Sequence, residues 1–184
     1  MISGQAKSSF DHLFEKSVMA NIVASTDDSC EIQPIGDPEE ISEDEFVVLT
    51  ISSPFFRVMA CFHFSNDNST VSHFAKRSNL DAEAIDNSAF RDAFLEFCNI
   101  CCGTIQRDLH KHYQYLGMST PYVLLKTCLS FISTLEPGYV RHYRITINHS
   151  LVLHATLCVC DYGVVDFEVD TSAAIEDTGE LELF

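Results

Sequence analysis

The sequence predicts one α/β (α+β) domain in which helices pack on a central, largely antiparallel β-sheet. Its apolar residues recur first at helical spacing, then along strand-like runs, then along two more helices and a further series of strands. Runs of strands with helices between them are typical of this class. The chain has 184 residues, of which 46% are hydrophobic and 11% aromatic, so it can form a sizeable core. We therefore predict one domain over residues 1–170, followed by an acidic, mobile tail over residues 171–184.

The first half is predicted to contain a helix and three strands. Residues 7–24 indicate an amphipathic helix with Ser8 or Ser9 as its N-cap. Its apolar residues recur every three or four positions, at Phe10, Leu13, Phe14, Val18 and Ile22. A loop-rich stretch with a short strand at 30–35 comes next. The strands over 46–52 and 55–65 follow, and the Ser-Ser-Pro between them indicates a hairpin.

The second half is predicted to contain two helices and five strands. Residues 68–78 indicate a helix capped by Asn68 or Ser69, and an acidic linker covers 79–87. Ser88 is the expected N-cap of a long helix that runs to about Tyr113. The expected strands cover residues 122–126, 128–135, 140–148, 151–161 and 164–169, with turns at 136–138 and 148–150.

The charge of the chain excludes several classes of partner. A formal net charge of −16 argues against binding nucleic acid or anionic membrane surfaces. Much of the acid lies in residues 37–45 and 166–182, and both segments are predicted to be solvated and flexible. No signal peptide is visible, and no apolar run approaches the roughly 18 residues that span a bilayer. We therefore expect a cytoplasmic protein.

Eight cysteines allow two interpretations. The first is a metal site built from Cys98, Cys101 and Cys102, with Cys158 and Cys160 as further ligands. The second is that the cysteines are small buried apolar residues. Helical spacing favours the second, because it places the first three on the apolar side of the long helix. Cys158 and Cys160 are two residues apart in a predicted strand, so their side chains lie on the same face of it. We expect no metal.

The most informative stretch is residues 92–103, within the long helix. At about 100° per residue, four positions fall within roughly 60° of one another on its surface. They are Asp92, Glu96, Asn99 and Gly103. The other side is apolar, so the helix has a buried face and a narrow polar stripe. A glycine there costs roughly 1 kcal/mol of helix stability relative to alanine, which makes sense if another backbone or side chain must come close.

This pattern resembles the CheC/CheX/FliY family of chemotaxis phosphatases. The resemblance rests on Asp92-x3-Glu96-x2-Asn99, on Gly103, and on Ser119-Thr120-Pro121 further along. The motif occurs once, as in the CheX branch. A weaker echo in the first helix has Val18 at the third position, so that helix is expected to be inactive.

The resemblance implies a fold, an activity and a partner. The fold is CheC-like, and the activity is hydrolysis of the phospho-aspartate of a CheY-like response regulator. Asn99 would orient the attacking water, because a carboxamide both donates and accepts hydrogen bonds. Glu96 would pair with the regulator's active-site lysine. Asp92, Gly103, Ser119 and Pro121 would shape the contact surface.

Several points stay open from sequence alone. The chain would need no cofactor of its own, because the Mg²⁺ would be held by the receiver domain of the regulator. Members with a single motif form symmetric dimers, so we expect a homodimer. The alternatives are a receiver-binding module without catalysis, and a metal or redox protein that uses the cysteines. The sequence does not identify the partner regulator or the pathway.

Overall fold

The computed structural model describes residues 1–170, which form three α-helices and seven β-strands. The predicted tail at 171–184 lies outside the described residues. The helices are α1 (Gly4–Ile22), α2 (Asn68–Arg77) and α3 (Asn87–Leu109). The strands are β1 (Cys30–Ile35), β2 (Glu45–Ser52), β3 (Phe56–Phe64), β4 (Gly117–Met118), β5 (Tyr122–Leu125), β6 (Tyr139–Ile147) and β7 (Leu151–Asp161). Two segments are 3-10 helical, Pro38–Glu40 and Lys126–Leu135.

The strands form a single antiparallel sheet in the order β1-β6-β7-β3-β2-β4, and β5 also pairs with β2. The predicted α+β class is confirmed. The order is symmetric when the two halves of the chain are exchanged. In each half a helix is followed by an edge strand that pairs with the other half, and then by a hairpin. The halves meet where β3 pairs with β7. This duplication is visible in the topology, although no repeat is obvious in the sequence.

The three helices cover one face of the sheet, which we call the helical face. Aromatic side chains fill the space between helices and sheet. Phe62 of β3 lies between Phe14 of α1 and Phe97 of α3, with ring centroids 5.7 and 5.4 Å away. Phe74 brings α2 into the same cluster, 5.4 Å from Phe97. This packing fixes α1 and α3 side by side on the sheet.

The opposite face, which we call the far face, carries a second and smaller apolar cluster. Its buried members are Phe46, Val48, Met59, Cys61, Cys158 and Cys160. The 3-10 segment Lys126–Leu135 packs over this cluster, yet none of its ten residues is buried. The far face is therefore only partly covered.

The helices begin earlier than the sequence suggested, because the capping residues differ. Ser3 caps α1 by accepting from the Ala6 amide at 3.0 Å, whereas Ser8 or Ser9 was predicted. Asp67 caps α2 and Asp86 caps α3, in place of the predicted serine and asparagine residues. A carboxylate one or two residues upstream reaches the same amides as a hydroxyl and complements the helix dipole.

The predicted strand at 128–135 is wrong, because this segment is 3-10 helical. Its apolar residues recur at three- and four-residue spacing, which fits a helix better than a strand. The hydroxyls of Ser130, Ser133 and Thr134 each donate to the carbonyl three residues earlier. These bonds stabilise the helical path.

The predicted strand at 164–169 is also wrong. This segment does not join the sheet and makes one parallel bridge, between Val165 and Ile2. Phe167 then packs against Phe10 of α1, with ring centroids 5.0 Å apart. The segment at 165–167 thus packs against the first half of α1 and the residues just before it.

The acidic segment at 37–45 is not solvated throughout. Asp37, Glu39 and Glu40 are exposed, but Ile41 and Glu43 are buried. Burial alone would raise the pKa of the Glu43 carboxyl, yet hydrogen bonding and charge from His154 lower it. Buried hydrogen bonds between Glu43 and His154 therefore tie this segment to β7.

Candidate functional site

Helix α3 presents the predicted motif on its outer surface. The opposite side of the helix packs into the core through Phe94, Phe97 and Cys98. Asp92 and Glu96 are exposed and Asn99 is half-buried. Within residues 1–170 these three side chains accept or donate no hydrogen bond. The helix therefore holds two carboxylates and one carboxamide ready for an external partner.

An open cleft of about 450 Å³ lies beside this stripe. On one side it is lined by α3, through Asp92, Leu95, Glu96 and Asn99. The other side is the segment at 118–121, made of Met118, Ser119, Thr120 and Pro121. The structure thus brings together five of the six predicted site residues from two segments distant in sequence. Thr120 belongs to the Ser-Thr-Pro element of the resemblance but was not predicted as a site residue, and the apolar Leu95 and Met118 carry no chemical signal of their own.

Ser119 fixes the second wall of the cleft to the sheet. Its amide donates to the Thr50 carbonyl at 2.9 Å, and its hydroxyl oxygen accepts from the Thr50 amide at 3.0 Å. The same hydroxyl donates to the Thr120 carbonyl at 2.9 Å. Ser119 is therefore a positioning residue that holds the turn before Pro121 against β2.

Gly103, the sixth predicted residue, lies outside the cleft. A Cβ atom added there would meet nothing within 4 Å. The expected close approach therefore involves no other part of residues 1–170. If the glycine is needed for space, the space is for a separate molecule.

One cation lies in the electrostatic environment of Glu96. Burial lowers the pKa of Arg77, and the negative groups that raise it include Glu96. The Arg77 guanidinium donates from Nε to the Asn21 carbonyl at 2.6 Å and lies over the Phe97 ring, 5.3 Å from its centroid. It is thus held by α1 and α3, without a hydrogen bond to Glu96.

The echo of the motif in α1 has a different environment. The Asp11 carboxylate accepts hydrogen bonds of 2.6 Å from the hydroxyls of Tyr139 and Tyr143 and lies 3.9 Å from Arg141. Val18, at the position equivalent to Asn99, is fully buried. Through Asp11 this helix surface contacts β6, and Val18 lies in the core.

Six of the cysteines are buried, as predicted, and Cys30 and Cys128 are half-buried. Burial raises the pKa of the Cys61 and Cys102 thiols to about 12, so both are protonated near neutral pH. No group of three or more metal-ligating side chains is found within residues 1–170. The absence of metal in the purified protein stays a prediction, which elemental analysis tests.

A buried polar network lies on the far face and was not predicted from the sequence. Thr156 of β7 is hydrogen-bonded to His63 at 3.2 Å and to His142 at 2.8 Å, and Glu43 pairs with His154 at 2.9 Å. Burial lowers the pKa of His63 to about 4, so this ring is neutral near neutral pH. These residues come from three strands and a loop, and only the strand register brings them together.

The fold is that of CheC-like and CheX chemotaxis proteins. CheX from Vibrio vulnificus superposes with a TM-score of 0.61 at 17% identity, covering 82% of this chain and 98% of that one. A CheC-like superfamily protein from Shewanella sp. PV-4 gives 0.58 at 15% identity, covering 82% and 97%. A chain of the CheX-CheY-BeF3-Mg²⁺ complex from Borrelia burgdorferi gives 0.56 at 8% identity, covering 83% and 96%.

No protein-family profile and no curated protein matches the chain. At these identities the solved structures establish the fold, and the roles of individual residues rest on the geometry of the cleft. No helix within residues 1–170 combines the length and the apolar character needed to cross a bilayer.

Proposed function

We propose that this chain is a CheX-type phosphatase that docks on the receiver domain of a CheY-like response regulator and hydrolyses its phospho-aspartate. The observation that carries the proposal is the cleft, where Asp92, Glu96 and Asn99 face Ser119 and Pro121. The fold supports it independently, because one solved structure with this fold is a CheX-CheY-BeF3-Mg²⁺ complex.

The proposed reaction needs no nucleophile from this chain. A water oxygen attacks phosphorus while the bond between phosphorus and the aspartyl oxygen breaks. The products are inorganic phosphate and a free carboxylate on the regulator. Asn99 accepts a hydrogen bond from the water and holds it in line with the breaking bond. Its half-buried position limits the motion of the carboxamide.

Glu96 serves recognition in this proposal. Its exposed carboxylate pairs with the lysine of the receiver active site. The Mg²⁺ that neutralises phosphoryl charge is held by the acidic cluster of the receiver domain. The active site is then shared between two proteins, and this chain supplies the water-orienting side.

A second candidate is a module that binds receiver domains without hydrolysing the phosphate. Its supporting observation is that the cleft is open and that two of its lining residues, Asp92 and Glu96, are exposed carboxylates that can pair with cations of a partner without any hydrolysis. The two candidates are separated by a screen of the phosphorylated receiver domains of the source organism. A phosphatase shortens the lifetime of at least one phospho-receiver at substoichiometric concentration, whereas a binding module leaves every lifetime unchanged or longer.

We also propose that the protein forms a two-fold dimer, which is the commonest oligomeric arrangement. Light scattering at micromolar concentration tests it directly. A mass of about twice 20.6 kDa is expected, and a strictly monomeric mass contradicts it.

A further inference from the structure

The far face contains a larger cavity than the motif cleft, with a volume of about 1110 Å³. We call it the far-face groove. It runs between the 3-10 segment Lys126–Leu135 and the acidic segment at 37–45. Its apolar wall is formed by Leu125, Leu129, Ile132, Pro137 and Val140. Small-molecule pockets typically measure about 300–1,000 Å³, so this groove has room for several apolar side chains of a larger partner.

The wall of this groove is poorly covered. Leu125 in this wall is 60% exposed, and the other four wall residues are half-buried. Ten residues of 3-10 helix is long, since such helices seldom exceed three or four residues. Cys128, Leu129 and Ile132 of this segment pack on the far-face cluster and stay half-buried. Exposed apolar surface along a groove is typical of an interaction site.

The rim of the groove is acidic. Glu39, Asp44 and Glu136 line it and are exposed. The basic residues among the lining groups are Lys126, whose amine donates to the Ile41 carbonyl, and His142, whose pKa is lowered by burial. The exposed Asp37 and Glu40 next to this rim add to the negative potential.

The apolar wall and the acidic rim of the far-face groove together favour one class of binding partner. A second copy of the chain placed symmetrically on the groove would bring the acidic rims together, and like charges in contact oppose association. Anionic lipid is disfavoured for the same reason. An amphipathic helix fits, with apolar residues on one side and lysine or arginine along its edges. We propose that the far-face groove binds a basic amphipathic helix of a protein partner. This inference does not rest on the proposed phosphatase activity.

The test uses a synthetic 14-residue peptide with leucine at helical i, i+3, i+4 and i+7 spacing and lysine at the other positions. Binding to the full chain is measured by fluorescence anisotropy at physiological salt. Two matched peptides serve as controls, one with glutamate in place of lysine and one with the same composition in scrambled order. The proposal expects binding of the first peptide and at least tenfold weaker binding of both controls, on the order of the loss of a good apolar anchor.

Variants locate the peptide on the surface. Glu39→Gln with Glu136→Gln removes two rim charges, whereas Glu83→Gln with Glu168→Gln removes two exposed charges that do not line the groove. The rim pair is expected to weaken binding by about fivefold or more, and the control pair by less than about twofold. Ile132→Ser, in the half-buried wall, is expected to weaken it as well.

Three results would overturn the proposal. The first is equal loss in the two charge pairs, which would show that the peptide responds only to the net charge of the chain. The second is equal binding of the ordered and scrambled peptides. The third is a dimer that Ile132→Ser dissociates, which would make a second copy the occupant of the groove. Each outcome leaves the hydrolysis screen unaffected.

Discussion

Helices α1 and α3 occupy corresponding places in the two halves of the chain. They share the same spacing of acidic residues, but the environments of these residues differ. In α1, Asp11 accepts hydrogen bonds from Tyr139 and Tyr143, and Val18 is buried in the core. In α3, the equivalent Asp92 is exposed and Asn99 lines an open cleft. One helix uses its motif positions for packing, and the other leaves them at the surface of a cleft.

The difference shows that residue spacing alone does not determine whether the motif side chains are available, because the neighbouring groups decide it. Asp11 lies against β6, whose two tyrosine hydroxyls satisfy the carboxylate. Within residues 1–170 no hydroxyl group donates to Asp92, and an open cleft separates it from the turn at 118–121. A carboxylate already satisfied inside the protein has little left to offer a partner.

The largest effect is expected from reversing the charge of Glu96. Glu96→Gln keeps the volume and removes the proposed ion pair, and Glu96→Lys opposes it. Losing a charge pair in a partly desolvated interface costs about 2–5 kcal/mol, and reversal costs more. Binding to a receiver domain loaded with beryllofluoride, which stands in for the phosphoryl group, is expected to weaken from wild type to Gln to Lys. Wild-type affinity in Glu96→Lys would show that Glu96 does not contact the partner.

Completing the motif in α1 should harm the protein and create no second site. Val18→Asn places a carboxamide where the side chain is fully buried. An unsatisfied buried polar group costs about 1–3 kcal/mol, so the urea midpoint should fall while the hydrolysis rate per folded molecule stays unchanged. A gain in hydrolysis would mean that α1 faces a partner after all.

Removing the first carboxylate of each helix should affect different properties. Asp11→Ala leaves the buried Tyr143 hydroxyl without its acceptor, and a loss of about 2 kcal/mol in the free energy of unfolding is expected. Asp92→Ala changes an exposed side chain and should stay within about 0.5 kcal/mol. Equal destabilisation in denaturant titrations would refute the division between packing and presentation.

The smallest effect is expected at Gly103. Because a Cβ meets no atom within 4 Å there, Gly103→Ala should stabilise α3, by up to about 1 kcal/mol. If the partner approaches at this point, the same variant binds the beryllofluoride-loaded receiver more weakly. A variant that is more stable and binds as well as wild type would remove Gly103 from the contact surface.

The sequence predicted the helices, most strands and five of the eight residues that line the cleft. The helices and strands depend on local spacing. The stripe on α3 follows from helical geometry alone, and Pro121 was associated with it through the resemblance. The pair of Glu43 with His154 was not predictable, since it depends on how a loop meets β7. The strand predicted at 128–135 was wrong because a short apolar run fits both a strand and a helix, and its hydroxyl groups decided between them.

The most direct test of the proposed function compares wild type with Asn99→Ala in two assays on one phosphorylated receiver domain. Loss of a well-placed orienting group costs on the order of 2–4 kcal/mol in the transition state. We expect hydrolysis to slow at least tens-fold, while the circular dichroism spectrum and the affinity for the beryllofluoride-loaded receiver stay unchanged. Full hydrolytic activity in Asn99→Ala would contradict the account.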